Sequence, residues 1–289
     1  ATLASAGQTV YRPMPLMTTI TDGRDVSSSY QDITDLTVPT TLTDANLRNI
    51  PISLLGVDLN NSHVMQRMVE STSKMLSNKL DTLAANKVAE QGSLVVVNSG
   101  KLNSYDRVAE AEVLMLEQQA TNGTRCMFLP PRMAQGLAGD LAGRGTMLPA
   151  SMSAYERTML PSIAGFDTFK TDYGRTITGS AGAAGTKYLV NGADQVTTPT
   201  AQDGNGLPVD NRYQTLTVDT GSGAAVGDAF TIAGVLAVGG INKQSTGQLK
   251  TFRITAINGA NWTITPGIVP ADGTPQAQKA YGNVNTKPA

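Results

Sequence analysis

The sequence predicts an α+β chain that carries a separate all-β module toward its end. Three observations support that fold class. The run from Ser62 to Gln91 has no Gly and no Pro, and its apolar residues follow three- and four-residue steps. Strand-like and helix-like segments then alternate up to about residue 160. After about Thr176 helix-forming runs vanish, Gly and Thr rise, and short alternating strands are separated by turn residues.

Residues 1–61 read as extended. Pro13, Pro15, Pro39 and Pro51 break any helix, and Ile33–Val38 and Ile52–Val57 have strand composition. So little packing signal over sixty residues requires support from a neighbour, in this chain or another. The next segment is one long helix, on the order of 45 Å. Asn61 or Ser62 caps its start and Gly92 ends it. Its stripe of Met65, Met68, Val69, Thr72, Met75, Leu76, Leu80, Leu83 and Val88 reads as core packing. Leu94–Val97 is a strand candidate, Tyr105–Gln119 a helix, and Arg125–Leu129 a strand stopped by Pro130 and Pro131. Two weaker helices follow, near Arg132–Ala142 and Ser151–Leu160.

In the β module, strands are expected around Tyr213–Val218, Ala229–Ile232, Val235–Val238, Phe252–Ile254 and Trp262–Ile264. Asn258-Gly259 between the last two is a hairpin signal. The whole reads as a barrel or sandwich.

Composition excludes several function classes. The net charge is −1 across 289 residues, with no basic tail, so bulk electrostatics draws the chain neither to nucleic acid nor to an anionic membrane. A single cysteine, Cys126, rules out an internal disulfide framework and a Cys-rich zinc site. Apolar runs such as Leu94–Val97 are too short to span a bilayer. Charged residues make up 16%, against about 25% in ordinary soluble domains. Two readings fit: a surface covered by partners, since interfaces are poor in Lys and Glu, or a Thr- and Gly-rich β protein.

Catalytic patterns fail on their companions. His63 is the one histidine and has neither a G-x-S-x-G nor an H-E-x-x-H around it; it reads as a solvated residue at a helix start. Ser71-Thr72-Ser73-Lys74 matches the S-x-x-K of penicillin-binding proteins without its S-D-N and K-T-G. The glycines from Gly179 to Lys187 lack the terminal Gly-Lys-Ser/Thr of a phosphate loop and read as a linker. Gly221–Gly227 misses the dinucleotide fingerprint and reads as a loop. Asn60, Asn122 and Asn261 are formal glycosylation sequons without a secretory context. No enzyme, metal or cofactor is expected.

The segments GDAFTIAGV (227–235) and NKQSTGQLKTFRIT (242–255) resemble the coat proteins of short-tailed phages of the Salmonella podovirus type. KVAEQGSLVVV (87–97), IAGFDTF (163–169), VDNRYQTLTV (209–218) and AYGNVNT (280–286) are similar to the same family and fall in the same order. The resemblance implies a major capsid protein with the tailed-phage shell fold. It implies an extended segment and E-loop over 1–61, and a spine helix with part of the P-domain over 62–101. Part of the A-domain would follow over 102–175, an inserted β-barrel domain over 176–282, and a return toward the A-domain over 283–289. Family members continue beyond this point and begin earlier, so the sequence reads as part of a longer protein.

The resemblance also implies partners: the chain itself in hexamers and pentamers, a scaffolding protein, a portal at one vertex, and packaged DNA bound without sequence specificity, with no membrane. Assembly would take place in the host cytoplasm and end in the virion capsid. By position, an inter-capsomer loop falls at Gln202–Arg212, with Gln202, Asp203, Asn205, Asp210 and Arg212 as contact candidates. Asp on one subunit is expected to pair with a basic residue on the next. E-loop contact candidates are Arg12, Asp22, Arg24 and Asp25. The rival readings are a nanocompartment shell of the same fold, and an accessory decoration or carbohydrate-binding protein. The second is opposed by 5% aromatics and one Trp.

Overall fold

Two separate hydrophobic cores organise the chain, one in the helical middle and one in the β module. The structure, a computed structural model, describes residues 9–25, 27, 30–41, 48–53, 56, 62–98, 100–120, 123–144, 160, 162–174, 177, 179–180, 188–219, 223–274 and 276–288.

The N-terminal segment forms an arm. Strand β1 (Thr9–Pro13) pairs antiparallel with β2 (Thr37–Thr41), Thr9 opposite Thr41 and Pro13 opposite Thr37. Pro39 is tolerated because a two-stranded ribbon has only edge strands. The strand expected at Ile33–Val38 therefore starts later, and residues 51–53 are not in a strand; the rest of the Ile52–Val57 candidate lies largely outside the described residues. Beyond the ribbon the two limbs stay linked, for Thr19 N donates to Gln31 Oε1 at 2.9 Å and Gln31 Nε2 donates to Thr19 O at 2.5 Å.

Helix α1 (Ser62–Gln91) has 30 residues, as its Gly- and Pro-free run requires. The expectation of a core-facing stripe is not met: no residue of α1 is buried, and Val69, Met75 and Leu80 are more than half exposed. Periodicity says that a stripe needs cover; it does not say that this chain supplies it. Leu94–Val97 is also corrected, since residues 92–98 form no strand and Val97 is exposed.

Helix α2 (Tyr105–Glu117) is capped by Ser104, whose side chain accepts from Asp106 N at 3.2 Å. Strand β3 (Arg125–Leu129) ends at Pro130, and Pro131 opens α3 (Pro131–Arg144), a position that a missing N–H does not harm. Asp106 in the first turn of α2 and Arg144 in the last turn of α3 are each placed to suit the helix dipole. They bond each other at 3.2 Å, and Arg144 also reaches Asp140 at 2.9 Å. Strand β4 (Phe166–Lys170), not foreseen from composition, pairs parallel with β3. Val108, Leu129, Ala134, Leu137, Ile163 and Phe166 form the core here. Nearly all of the Ser151–Leu160 helix candidate lies outside the described residues.

The β module is a four-stranded antiparallel sheet in the order β5 (Gln214–Thr217), β8 (Asn261–Thr265), β7 (Ser245–Asn258), β6 (Ala229–Val238). The two candidates at 229–232 and 235–238 form one strand interrupted by a register shift, with Gly234 at φ +78° between them. The β7–β8 turn is Gly259-Ala260, one residue later than Asn258-Gly259, because Asn258 pairs with Asn261; Gly259 supplies φ +60°. One end of each sheet edge is covered. Val190 bridges Val218 beside β5, and Val284 bridges Ala237 on β6. Leu216, Val235, Phe252, Ile254, Trp262, Ile264, Ile268 and Val284 fill the core. A short helix α4 (Gln276–Tyr281) precedes Val284 in the chain.

Candidate functional site

The loop from Gln202 to Arg212 is a built hairpin. Gln202 bridges Pro208. Asp203 Oδ1 accepts from Asn205 N at 2.8 Å and Leu207 N at 2.9 Å, an Asx turn that fixes the tip. Gln202, Asp203, Asn205 and Leu207 are exposed. Asp210 and Arg212, expected to reach another subunit, bond each other: Arg212 Nη2 donates to Asp210 Oδ2 at 2.6 Å and Nε to Oδ1 at 2.8 Å. The Arg212 guanidinium also lies over the Tyr213 ring, 5.2 Å from its centroid. Burial pushes the Asp210 carboxyl up, but the bonds from Arg212 outweigh it and hold it below its usual value. The pair stiffens the base of the loop, and Leu207, 61% exposed, is the large apolar group near the tip.

Arg12, Asp22, Arg24 and Asp25 all lie exposed on the arm, Arg12 on β1 and the others in the far turn. Asp25 accepts from Ser27 N at 3.0 Å, and its bonds with Ser27 lower its carboxyl. The arm exposes apolar groups beside these charges: Ile20 is 92% exposed, Tyr30 87% and Ile33 65%.

Sequence reasoning missed the joint between the module and the helices. Gln119, at φ +57° just past α2, accepts through Oε1 from Ile241 N at 2.7 Å and Asn242 N at 2.9 Å. Lys250, buried, donates to Gln118 Oε1 at 3.0 Å, and burial pushes its ammonium down to about 8. Arg253, also buried, donates from Nε to Gly92 O at 2.9 Å and from Nη1 to Gly227 O. Its neighbour Asp228 holds Ser180 and Ala225 N. Gly92 ends α1 without a left-handed φ, so the guanidinium takes the part of a C-cap. The available signal was a cation inside an apolar strand, at Lys250 and Arg253.

The rejected catalytic candidates are placed as follows. His63 lies exposed in the first turn of α1, and Ser71 and Lys74 lie exposed on its surface with no hydrogen bond between them. A depression of about 380 Å³ between α2 and β3 is lined by Gln119, Arg125, Cys126 and Phe166; Arg125 there faces Glu112 at 3.6 Å. Among the described residues no three His, Cys, Asp or Glu side chains gather to hold a metal ion, and no helix is long and apolar enough to cross a membrane.

Comparison with known proteins gives a family model described as "P22 coat protein - gene protein 5", which matches residues 2–289. A solved structure titled "CUS-3 coat protein I-domain" is 48% identical over 35% of this chain and 87% of its own, at a TM-score of 0.31.

Proposed function

Because this chain belongs to the P22 coat protein family, and is therefore a major capsid protein that assembles with itself into a phage shell, we propose a division of labour among its parts. Residues 1–61 supply the E-loop, and α1 is the spine of a P-domain that spans 62–101. Residues 102–175 belong to an A-domain. The module over 176–282 is an inserted barrel on the outer surface, and residues 283–289 return toward the A-domain. In this reading the shell encloses double-stranded DNA without reading its sequence. It is built in the bacterial cytoplasm around a scaffolding protein and carries a portal at one vertex.

One observation supports this division best. The two most extended elements, arm and α1, both leave large apolar groups open to solvent. Exposed apolar surface on that scale marks a contact surface, and a shell subunit has copies of itself to cover it. The 202–212 loop supports the same reading, because a loop fixed by its own bonds loses little entropy on docking. We assign Leu207 and the exposed carboxylate of Asp203 to the contact with the next capsomer. Asp210 and Arg212 hold the loop in shape.

Electron microscopy of the chain, produced together with its scaffolding protein, tests the reading. Closed shells of uniform diameter are expected. Small soluble oligomers in the presence of folded scaffold would overturn it.

A further inference from the structure

The arm and the β module meet at α4, through side chains far apart in sequence. Gln276 Nε2 donates to Thr19 Oγ1 at 2.7 Å. The Tyr281 hydroxyl lies 3.0 Å from Thr34 O and 3.3 Å from Pro15 O. Pro15 and Thr34 belong to opposite limbs of the arm, just beyond the last ribbon pair, Pro13 with Thr37. One hydroxyl therefore spans both limbs at their root. Thr19 is the residue that Gln31 grips across the arm, so Gln276 reaches the second rung.

The other contacts of α4 are with the module. Gln278, buried, donates to Thr198 Oγ1 at 2.8 Å and Thr197 O at 3.3 Å. Asn283, two residues past the helix, donates to Gly267 O at 2.7 Å and accepts from Val269 N at 3.1 Å. Val284 is fully buried in the module core. A helix of six residues does not persist alone in water. Its shape comes from the module, so Gln276 and Tyr281 stand in position only once the module has folded.

We propose that α4 is a clasp through which the folded β module sets the root of the arm and so prepares the arm to engage a second copy of this chain. This rests on the reading of the arm as an inter-subunit contact. It assigns Gln276 and Tyr281 as positioning residues, acting through Thr19, Pro15 and Thr34. A subunit whose module is unfolded would present a loose arm and be a poor substrate for assembly.

Hydrogen–deuterium exchange on the unassembled chain tests the clasp, with Tyr281→Phe, Thr19→Val and the double variant compared with the parent. Met14 N, which bonds Leu36 O at 2.8 Å, and Thr19 N report on the arm; the β7 and β8 amides report on the module. Exchange about tenfold faster in the arm of the double variant, with the module amides unchanged and shell formation slowed, is the expected result. Thr19→Val alters only the arm side and serves if Tyr281→Phe does not fold. Unchanged arm exchange in the double variant overturns the clasp, as does equal loosening of module and arm. A loosened arm with assembly at the parent rate overturns its part in assembly. The arm reading is judged separately, on the parent: an arm that gains no protection inside finished shells was never a contact.

Discussion

Arg253 shows how one side chain can hold two parts of a chain together. It sits on β7 between Phe252 and Ile254, which face the module core. A period of two then points Arg253 away from that core, and from sequence alone that direction reads as solvent. Instead the C-terminal end of α1 lies there, and the guanidinium meets Gly92 O where the helix dipole is negative. Replacing Arg253 with Met keeps the aliphatic stem but leaves the Gly92 and Gly227 carbonyls without this donor and removes the positive charge near Asp228. The subunit should lose about 2–3 kcal/mol in a denaturant titration. Arg253→Lys should restore only part of it, because a point donor cannot serve Gly92 and Gly227 together. A Met variant as stable as the parent would mean that water replaces the guanidinium without cost. Gly282 in AYGNVNT is a second residue explained only by packing: a Cβ there would overlap the Ala271 backbone, so the motif needs its glycine for close approach.

At the scale of elements, legibility followed the range of the forces involved. Helix α1 was readable to its ends because helix formation is local. Strand β3 was read to its bounds, with Pro130 in plain view, and α2 and α3 to within two residues of theirs. Strand β4 was missed because FDTFK is half polar and is a strand only through its pairing with β3. The 202–212 loop was singled out by resemblance, but the Asp210–Arg212 pair could not be foreseen, since spacing does not tell whether a charge is satisfied at home. The β6–β7 hairpin carries a consequence for pH. Lys250 is buried on β7 with its ammonium lowered to about 8, and burial also lowers Lys243 in the hairpin's turn. In the unfolded chain such a lysine titrates near 10.4. Between those values the unfolded state binds more protons, so stability rises with pH across about 8 to 10 and is lowest below 8. The gain from Lys250 is up to about 3 kcal/mol. Thermal unfolding from pH 7 to 10 should show this rise in the parent and a smaller one in Lys250→Met. That variant should be at least as stable as the parent at pH 7, because an apolar side chain replaces a buried cation. A steeper loss in the variant at pH 7 would mean that the bond to Gln118 outweighs the desolvation of the ammonium.

Across the whole molecule, the arm and α1 are two of the places where the chain leaves several large apolar residues uncovered. Ile20 and Tyr30 on one, and Val69, Met75 and Leu80 on the other, are exposed and belong to neither core. The apolar pattern of α1 reads as core packing, yet no residue of the helix is buried. If those faces serve assembly, polar substitutions there should separate two properties that core substitutions change together. Ile20→Ser and Leu80→Ser remove side chains that are already solvated in the subunit, so subunit stability should stay within about 0.5 kcal/mol. Each side chain buried between copies contributes about 1.5–3 kcal/mol to the contact. The concentration at which shells appear should therefore rise about tenfold or more for either variant, since about 1.4 kcal/mol is a factor of ten in an equilibrium constant. Phe252→Ala, in the module core, provides the contrast: it should cost the subunit about 3–5 kcal/mol before assembly is reached. Denaturation of the free subunit and light scattering during assembly measure the two properties on the same samples. If Ile20→Ser and Leu80→Ser assemble at the parent concentration, these faces are not contacts in the shell, and the charges of the arm and the 202–212 loop would have to carry association. That is a weak basis, because exposed ion pairs contribute about 0–1 kcal/mol each.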